Sequence, residues 1–325
     1  MRKFFFFLIL AGLYLFGWYL ELTEPVSSVE APQVVFISPG TPVKEVARLL
    51  EERGLIKNRY VFLLEALRLR VLDKLKAGEY ELSPHMSPRE ILQILAEGRV
   101  ITHIVTIPEG ANVWEVADLL DRAGLVPKEA FLSKAFDKKF VHALGIPGPS
   151  VEGFLFPDTY YFVKGMPVEE IIRRMVSRFW EVWRKYEDRA KELGISVYEA
   201  VTLASIVEKE AVLSREKPLI AAVYWNRLKR GMPLQADPTV RYALHRFRGR
   251  LYYKHLRVKN PYNTYRYLGL PPTPIANPGE ESLKAVLYPA KVPYLYFVSR
   301  GDGSHHFSRT YQEHLMAVRK YRRRR

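Results

Sequence analysis

The chain has 325 residues, no cysteine and a formal net charge of +15. Its length is enough for two or three domains with proper cores, and 48% apolar with 26% charged residues is the composition of a folded chain. Without Cys there is no disulfide framework, no thiolate metal site and no cysteine nucleophile. The basic excess favours polyanions or anionic headgroups, and the closing "KYRRRR" either concentrates that charge or is a solvated tail.

The N-terminus reads "MRKFFFFLILAGLYLFGWYLELTEP". Arg2 and Lys3 precede an unbroken apolar run from Phe4 to Leu20, at the short end of the roughly 17–25 residues that span a bilayer. Trp18 and Tyr19 sit where an aromatic belt falls, and the leading positive charge predicts a cytoplasmic N-terminus with the rest outside. A cleaved signal peptide is the competing reading; no A-x-A-like site closes the run, which favours a retained anchor over 1–20 at the cytoplasmic (inner) membrane. Residues 21–33 form a polar, Pro-containing linker.

A repeat comes next. "VFISPGTPVKEVARLLEERGLI" (35–56) aligns without gaps on "VTIPEGANVWEVADLLDRAGLV" (105–126). Each copy predicts a short strand, a Gly turn and a helix with apolar residues at i, i+3, i+4 and i+7, here Val43, Val46, Ala47 and Leu50. In the first copy a second helix ("NRYVFLLEALRL") and a returning strand ("AGEYELSP") complete a strand–helix–helix–strand unit. "SPREILQILAEG" then opens with a capping box, Ser87 with Glu90. The first unit resembles the LysM-like module that binds N-acetylglucosamine-containing glycans; a small α+β scaffold module is the alternative. The second copy is expected to fade in the Gly/Pro-rich "GIPGPSVEG". The expected division is a module over 34–100, a repeat-like segment over 101–148 and a working domain over 149–325, α+β throughout.

In the working domain Ser196 and Glu199 form a capping box before "VYEAVTLASIVEKEAVL", which predicts a helix through Leu213. Ala200, Leu203, Ala204, Val207 and Ala211 make its apolar stripe. Glu208 and Glu210 lie two apart, so they point about 200° away from each other and cannot face one substrate as a pair. Both border the stripe, so the helical wheel alone does not choose between them. The bulkier neighbours of Glu210 desolvate it more, which raises a carboxyl pKa toward the roughly 6–7 that a general acid needs. Around this helix lie "VEGFLFPDTYYF", "GMPLQADPTVRYAL", "NPYNTYRYLGLPPTPIANPG" and "YFVSRGDGSHHFSRTYQEH". Loops this rich in Tyr, Asn, Gln and Thr suit sugar rings, which have apolar faces and hydroxyl rims; rigid turns around a core are the plainer reading. His305 and His306 are adjacent and His314 lies well beyond, without H-E-x-x-H spacing, so no metal site is expected. Phosphate-loop and G-x-S-x-G patterns are also missing, and neither a nucleotide nor any other cofactor is expected.

The ordered set "EGFLFPDTY", "ASIVEKEA", "NRL…GMPLQADPTVRY", "YNTY…GLPPTPIANPG" and "YLYFVSRGDGSHHFS" resembles the YceG-like family of endolytic murein transglycosylases, over nearly the whole chain. The resemblance implies a membrane-anchored lytic transglycosylase that cuts nascent peptidoglycan strands at the MurNAc–GlcNAc β-1,4 bond, leaves 1,6-anhydro ends and works beside peptidoglycan synthase complexes, with no role for nucleic acid. It implies that the second Glu of "EKE", Glu210, is catalytic. Ala211 comes after it where the family often has Thr or Ser, which removes a hydroxyl neighbour but not the acid. By motif position, Gln235, Asp237, Thr239, Tyr262, Asn263 and Tyr265 are expected to hold substrate, with Glu152 and His305 on the rim. Asp158 and Glu208 are expected to support the site from behind, or Glu208 to be a solvent-facing charge. Two rival readings are a muramidase-type hydrolase with Asp237 or Glu152 as second carboxylate, and a non-catalytic glycan-binding scaffold.

Overall fold

The computed structural model describes residues 2–322. The last three arginines of the basic terminal cluster lie outside the described residues, as do the side chains of Arg2 and Lys3 on which the expected topology depends. The elements run α1 (Arg2–Thr23), β1 (Gln33–Ile37), α2 (Val43–Glu52), α3 (Arg59–Arg68), β2 (Gly78–Leu82), α4 (Pro88–Glu97) and β3 (Thr102–Thr106). Next come α5 (Val113–Arg122), α6 (Lys128–Ala135), α7 (Lys138–Ala143), β4 (Thr159–Val163), α8 (Val168–Trp183), α9 (Glu187–Leu193) and α10 (Val197–Glu210). The chain ends with α11 (Lys217–Lys229), α12 (Asp237–Ala243), α13 (Glu280–Leu287), β5 (Tyr296–Ser299), β6 (His305–Ser308) and α14 (Tyr311–Arg322). Among the described residues the strands pair in twos, β1 with β2, β3 with β4 and β5 with β6, so this is an α+β chain with small sheets.

The chain divides into two compact units. The first comprises residues 1–104 and 161–166, the second 105–160 and 167–325. In the first, β1 and β2 pair antiparallel with Val35 opposite Tyr80. Strand alternation turns Val35 and Ile37 into the core and leaves Val34 outside. The periodic residues of α2 (Val46, Ala47, Leu50) close over that face with Phe62 of α3 and Leu92 of α4. Gly54, at φ 66, ends α2 in the left-handed conformation that Gly tolerates without a Cβ clash. The βααβ order read from the sequence is present, as is the Ser87–Glu90 capping box. Helix α1 carries an apolar span, Phe4–Thr23, long enough to cross a bilayer by length and composition.

The second copy of the repeat folds into the other unit. Its helix α5 has the same register as α2 and the same left-handed Gly at its end, Gly124 at φ 67. Its strand β3 finds its partner in β4, inside "VEGFLFPDTYYF". The copy therefore does not fade at "GIPGPSVEG"; α7 and a loop are inserted before the returning strand. The compact units separate at 104/105, and residues 105–148 pack with the downstream chain in one unit. There α10 lies at the centre against α11 and α13, and Phe154 packs edge-on to Phe179 of α8 at 4.7 Å.

Candidate active site

The site is built on the end of α10. The Ser196 side chain accepts from Glu199 N–H, and the Glu199 carboxylate accepts from Ser196 N–H, so the helix starts with both donors satisfied. Every residue from Ala200 to Val207 is buried, which makes α10 a central core helix rather than a one-sided amphipathic one. The helix ends at Glu210: Ala211 is already extended, with ψ 126. The helix expected through Leu213 thus stops three residues short, and Glu210 stands where the chain leaves the core, not along a helical face.

Glu208 and Glu210 go separate ways, as residues two apart must. Glu208 turns inward. Its carboxylate accepts from Lys217 Nζ at 3.2 Å, Gly279 N–H at 3.0 Å and Ser282 Oγ at 2.7 Å, and its side chain is 7% exposed. Gly279 and Ser282 form the first turn of α13, so Glu208 is both an ion-pair partner and a cap for an orphan N–H. It is not the solvent-facing charge offered as one expectation.

Glu210 opens into a cleft of about 290 Å³, lined also by Asn112, Lys209, Asp237, Arg241, Tyr242 and Phe247. Its Oε1 accepts from the Tyr224 hydroxyl at 3.2 Å. Desolvation, and after it the Asp237 carboxylate, push the Glu210 pKa up to about 7. The Tyr224 hydrogen bond and the Arg227 and Arg241 guanidiniums pull it back down. Asp237 is the first residue of α12, where a negative charge complements the helix dipole, and it accepts from the Tyr265 hydroxyl at 2.7 Å. Arg227 is buried, and its Nε and Nη1 donate to the carbonyls of Leu295 and Leu234, both at 2.7 Å. These bonds hold its positive charge in place beside the cleft.

The other expected residues fall into two sets. Gln235, Asp237 and Tyr265 cluster around the Glu210 side of the fold: Gln235 is exposed and accepts weakly from Arg227 at 3.5 Å. Its backbone is held at φ 50, which non-Gly residues rarely adopt. Tyr262 is half-buried, packs against Tyr242 with ring centroids 5.0 Å apart and shares a hydrogen bond with Thr273. The remainder are sealed or occupied. Thr239 and Asn263 are fully buried; Thr239 bonds Thr264 and the Ala236 carbonyl, and Asn263 donates to the Leu256 and Val258 carbonyls. His305 is not on a rim: it is buried, and its Nδ1 lies 2.7 Å from Glu216. Asp158 pairs with Arg178 at 2.9 Å and does not line the cleft. Glu152 is also not on a rim. Its fully buried carboxyl accepts from the Tyr242 hydroxyl at 3.0 Å and Val113 N–H at 3.1 Å, and burial pushes its pKa up to about 8.

The sequence reading missed one wall of the cleft. The Gly turn of the second repeat, residues 109–112, docks on the working part of the unit. Gly110 N–H donates to the Asn277 carbonyl and Asn277 N–H to the Ala111 carbonyl, both at 2.9 Å, while Lys209 Nζ reaches the Gly110 carbonyl. Asn112, which caps α5, thereby joins the cleft. Nothing in the repeat's periodicity marks this. Tyr224 was hidden as one more aromatic in an apolar helix; its only signal was a buried hydroxyl that needs a partner. Among the described residues no cluster of potential metal ligands occurs.

An α+β chain with an apolar N-terminal helix and a desolvated acid at the end of a core helix is the class that this architecture defines. The sequence profile of the YceG-like family matches residues 35–320, and the chain belongs to that family. It is similar to the endolytic murein transglycosylase of Bacillus subtilis (strain 168), with 34% identity over 97% of this chain and 91% of the relative. It is also similar to the endolytic murein transglycosylase of Streptococcus pneumoniae D39, with 28% identity over 94% of this chain; there it spans 62% of the relative's length. Among solved structures, that of a putative YceG-like protein from Listeria monocytogenes superposes with a TM-score of 0.62 at 35% identity, over 89% of this chain and 100% of that one.

Proposed function

We propose that the chain is a membrane-anchored endolytic lytic transglycosylase of peptidoglycan, with α1 as the anchor, the working unit outside the cytoplasm and Glu210 as the one acid and base. The family membership and the names of the relatives support the substrate. The observation that carries the mechanism is the Glu210 carboxyl, raised to about 7 in a cleft and therefore about half in its acid form at neutral pH. The Tyr224 hydroxyl already donates to Oε1, so the acid proton resides on the other oxygen, the one free for a substrate. That proton passes to the glycosidic oxygen as the bond from MurNAc C1 to GlcNAc O4 breaks. The carboxylate so formed takes the proton of the MurNAc C6 hydroxyl, whose oxygen attacks C1 and closes a 1,6-anhydro ring. No water enters, so one carboxyl is enough; hydrolases use two, roughly 5–5.5 or 6.5–9.5 Å apart.

Asp237 fits this scheme as a fixed negative charge that keeps Glu210 protonated and faces the positive charge developing at C1. Its presence in the same cleft also favours the second reading, a hydrolase with Asp237 activating water. The LysM-like reading of the first βααβ unit adds a glycan-holding role, supported by the order of its elements, and synthase complexes are the partners the scheme calls for. Mass spectrometry of products from purified glycan strands separates the readings: anhydro-MurNAc ends support the lyase, reducing ends the hydrolase. Glu210→Gln is expected to lower the rate by about 10²–10⁴-fold, the usual worth of a positioned acid or base, with no loss of melting temperature. A Glu210→Gln protein that cuts at the wild-type rate overturns the assignment of Glu210, whereas a wild-type protein that cuts no strand leaves the scaffold role.

A further inference from the structure

Helix α3 is apolar on two faces. One packs Val61, Phe62 and Ala66 into the core of the first unit. The other carries Tyr60, Leu64 and Leu67, which are 67%, 51% and 60% exposed. The spacing i, i+4, i+7 places these three within one stripe. Single exposed apolar residues are ordinary; an aligned stripe on the back of a core helix is the pattern of a surface with a second apolar environment.

The same helix is tied to the end of the apolar helix α1. The Tyr19 hydroxyl donates to the Glu65 carboxylate, and Lys57 Nζ donates to the Glu21 carbonyl at 2.8 Å. Tyr19 lies at the end of the apolar run, where the hydrocarbon gives way to headgroups. A headgroup layer is roughly 5–8 Å thick on each side, and a helix with side chains is about 10–12 Å across. A helix touching Tyr19 therefore cannot clear that layer. Basic residues flank the stripe at both ends, Lys57 and Arg59 before it and Arg68 and Arg70 after it. Arg68 and Arg70 are exposed. An apolar stripe between cations is the arrangement that lies flat in an anionic interface.

We propose that the outward face of α3 rests in the extracytoplasmic headgroup layer of an anionic bilayer, with Tyr60, Leu64 and Leu67 dipping toward the acyl boundary and the arginines meeting lipid phosphates. The proposal rests on the reading of α1 as a membrane anchor. It is tested on the full chain, which has no cysteine and so gives a single label site in each variant. Leu64→Cys, Leu67→Cys, Leu10→Cys and Asp188→Cys carry a nitroxide in nanodiscs of phosphatidylcholine with phosphatidylglycerol. Accessibility to oxygen and to a water-soluble nickel complex is then measured. Leu10 reports the span, and Asp188, almost fully exposed, reports water. The expected oxygen-to-nickel ratio at Leu64 and Leu67 is several-fold above that at Asp188 and below that at Leu10, and falls when phosphatidylglycerol is omitted. A ratio equal to that of Asp188, with Leu10 in lipid, overturns the proposal and leaves the anchor intact. Leu10 in water overturns both. Labels at Leu64 that are shielded from both reagents and coupled to a second label identify another copy of this chain as the occupant, which also overturns it.

Discussion

At the scale of single residues the cleft is an exercise in keeping one proton where bulk water would remove it. Desolvation and the Asp237 charge hold Glu210 at about 7, so the acid form is present below that pH and the rate is expected to fall as pH rises through it. Asp237→Asn removes the negative neighbour, which lowers the Glu210 pKa; the alkaline limb of the pH–rate profile should move to lower pH. A profile that stays in place would mean that Asp237 does not act on Glu210. Tyr224→Phe removes the hydrogen bond that pulls the other way, and should move the limb upward. Glu152 carries the same physics into stability. Its pKa rises from the ordinary 4.5 to about 8 on folding. The folded state therefore binds its proton more tightly, and the associated stability is full below 4.5 and lost as pH climbs through 8. Glu152→Gln retains an acceptor for Tyr242 and Val113 and cannot ionise. Its melting temperature should decline less between pH 5 and 8 than that of the wild type, read by circular dichroism.

At the scale of elements, the end of α10 separates a structural acid, Glu208, from the acid proposed for the chemistry, Glu210. Removing Glu208 leaves the buried Lys217 ammonium with only the half-exposed Glu109 carboxylate, at 3.4 Å, and uncaps α13, so Glu208→Ala is expected to cost about 3 kcal/mol in denaturant unfolding. Glu210→Gln should leave the same curve unmoved. If Glu208→Ala proves as stable as the wild type, the capping account of α13 fails. The capping boxes at Ser87 and Ser196, the βααβ order and the divergence of Glu208 from Glu210 were all legible, because each depends on local spacing. The end of α10 at Glu210 was not: "AVL" continues the helical pattern, and the chain leaves it only in tertiary context. The inward turns of Glu152, Thr239, Asn263 and His305 were equally illegible. A polar residue in a Tyr/Asn/Pro loop reads the same whether its partner is a sugar or a carbonyl of another loop, as Asn263 shows with Leu256 and Val258.

At the scale of the molecule, one repeat has been used twice for different ends. The first copy closes its own small core, whereas the second lends its Gly turn to the cleft. Because the first unit has its own core around Leu50, Phe62 and Leu92, Leu50→Ala should cost about 2–5 kcal/mol there. Calorimetry is expected to show the unfolding transition of that unit lowered and the other unmoved; equal shifts in both would show that the units melt as one. Residues 161–166 also belong to the first unit. Among them Lys164 pairs with the buried Glu79 at 2.8 Å. A chain made from its N-terminus must therefore yield residues 105–160 before that carboxylate meets its ammonium. The first unit waits, incomplete, for a segment that arrives after the second has begun, so the order of synthesis and the order of folding cannot be the same.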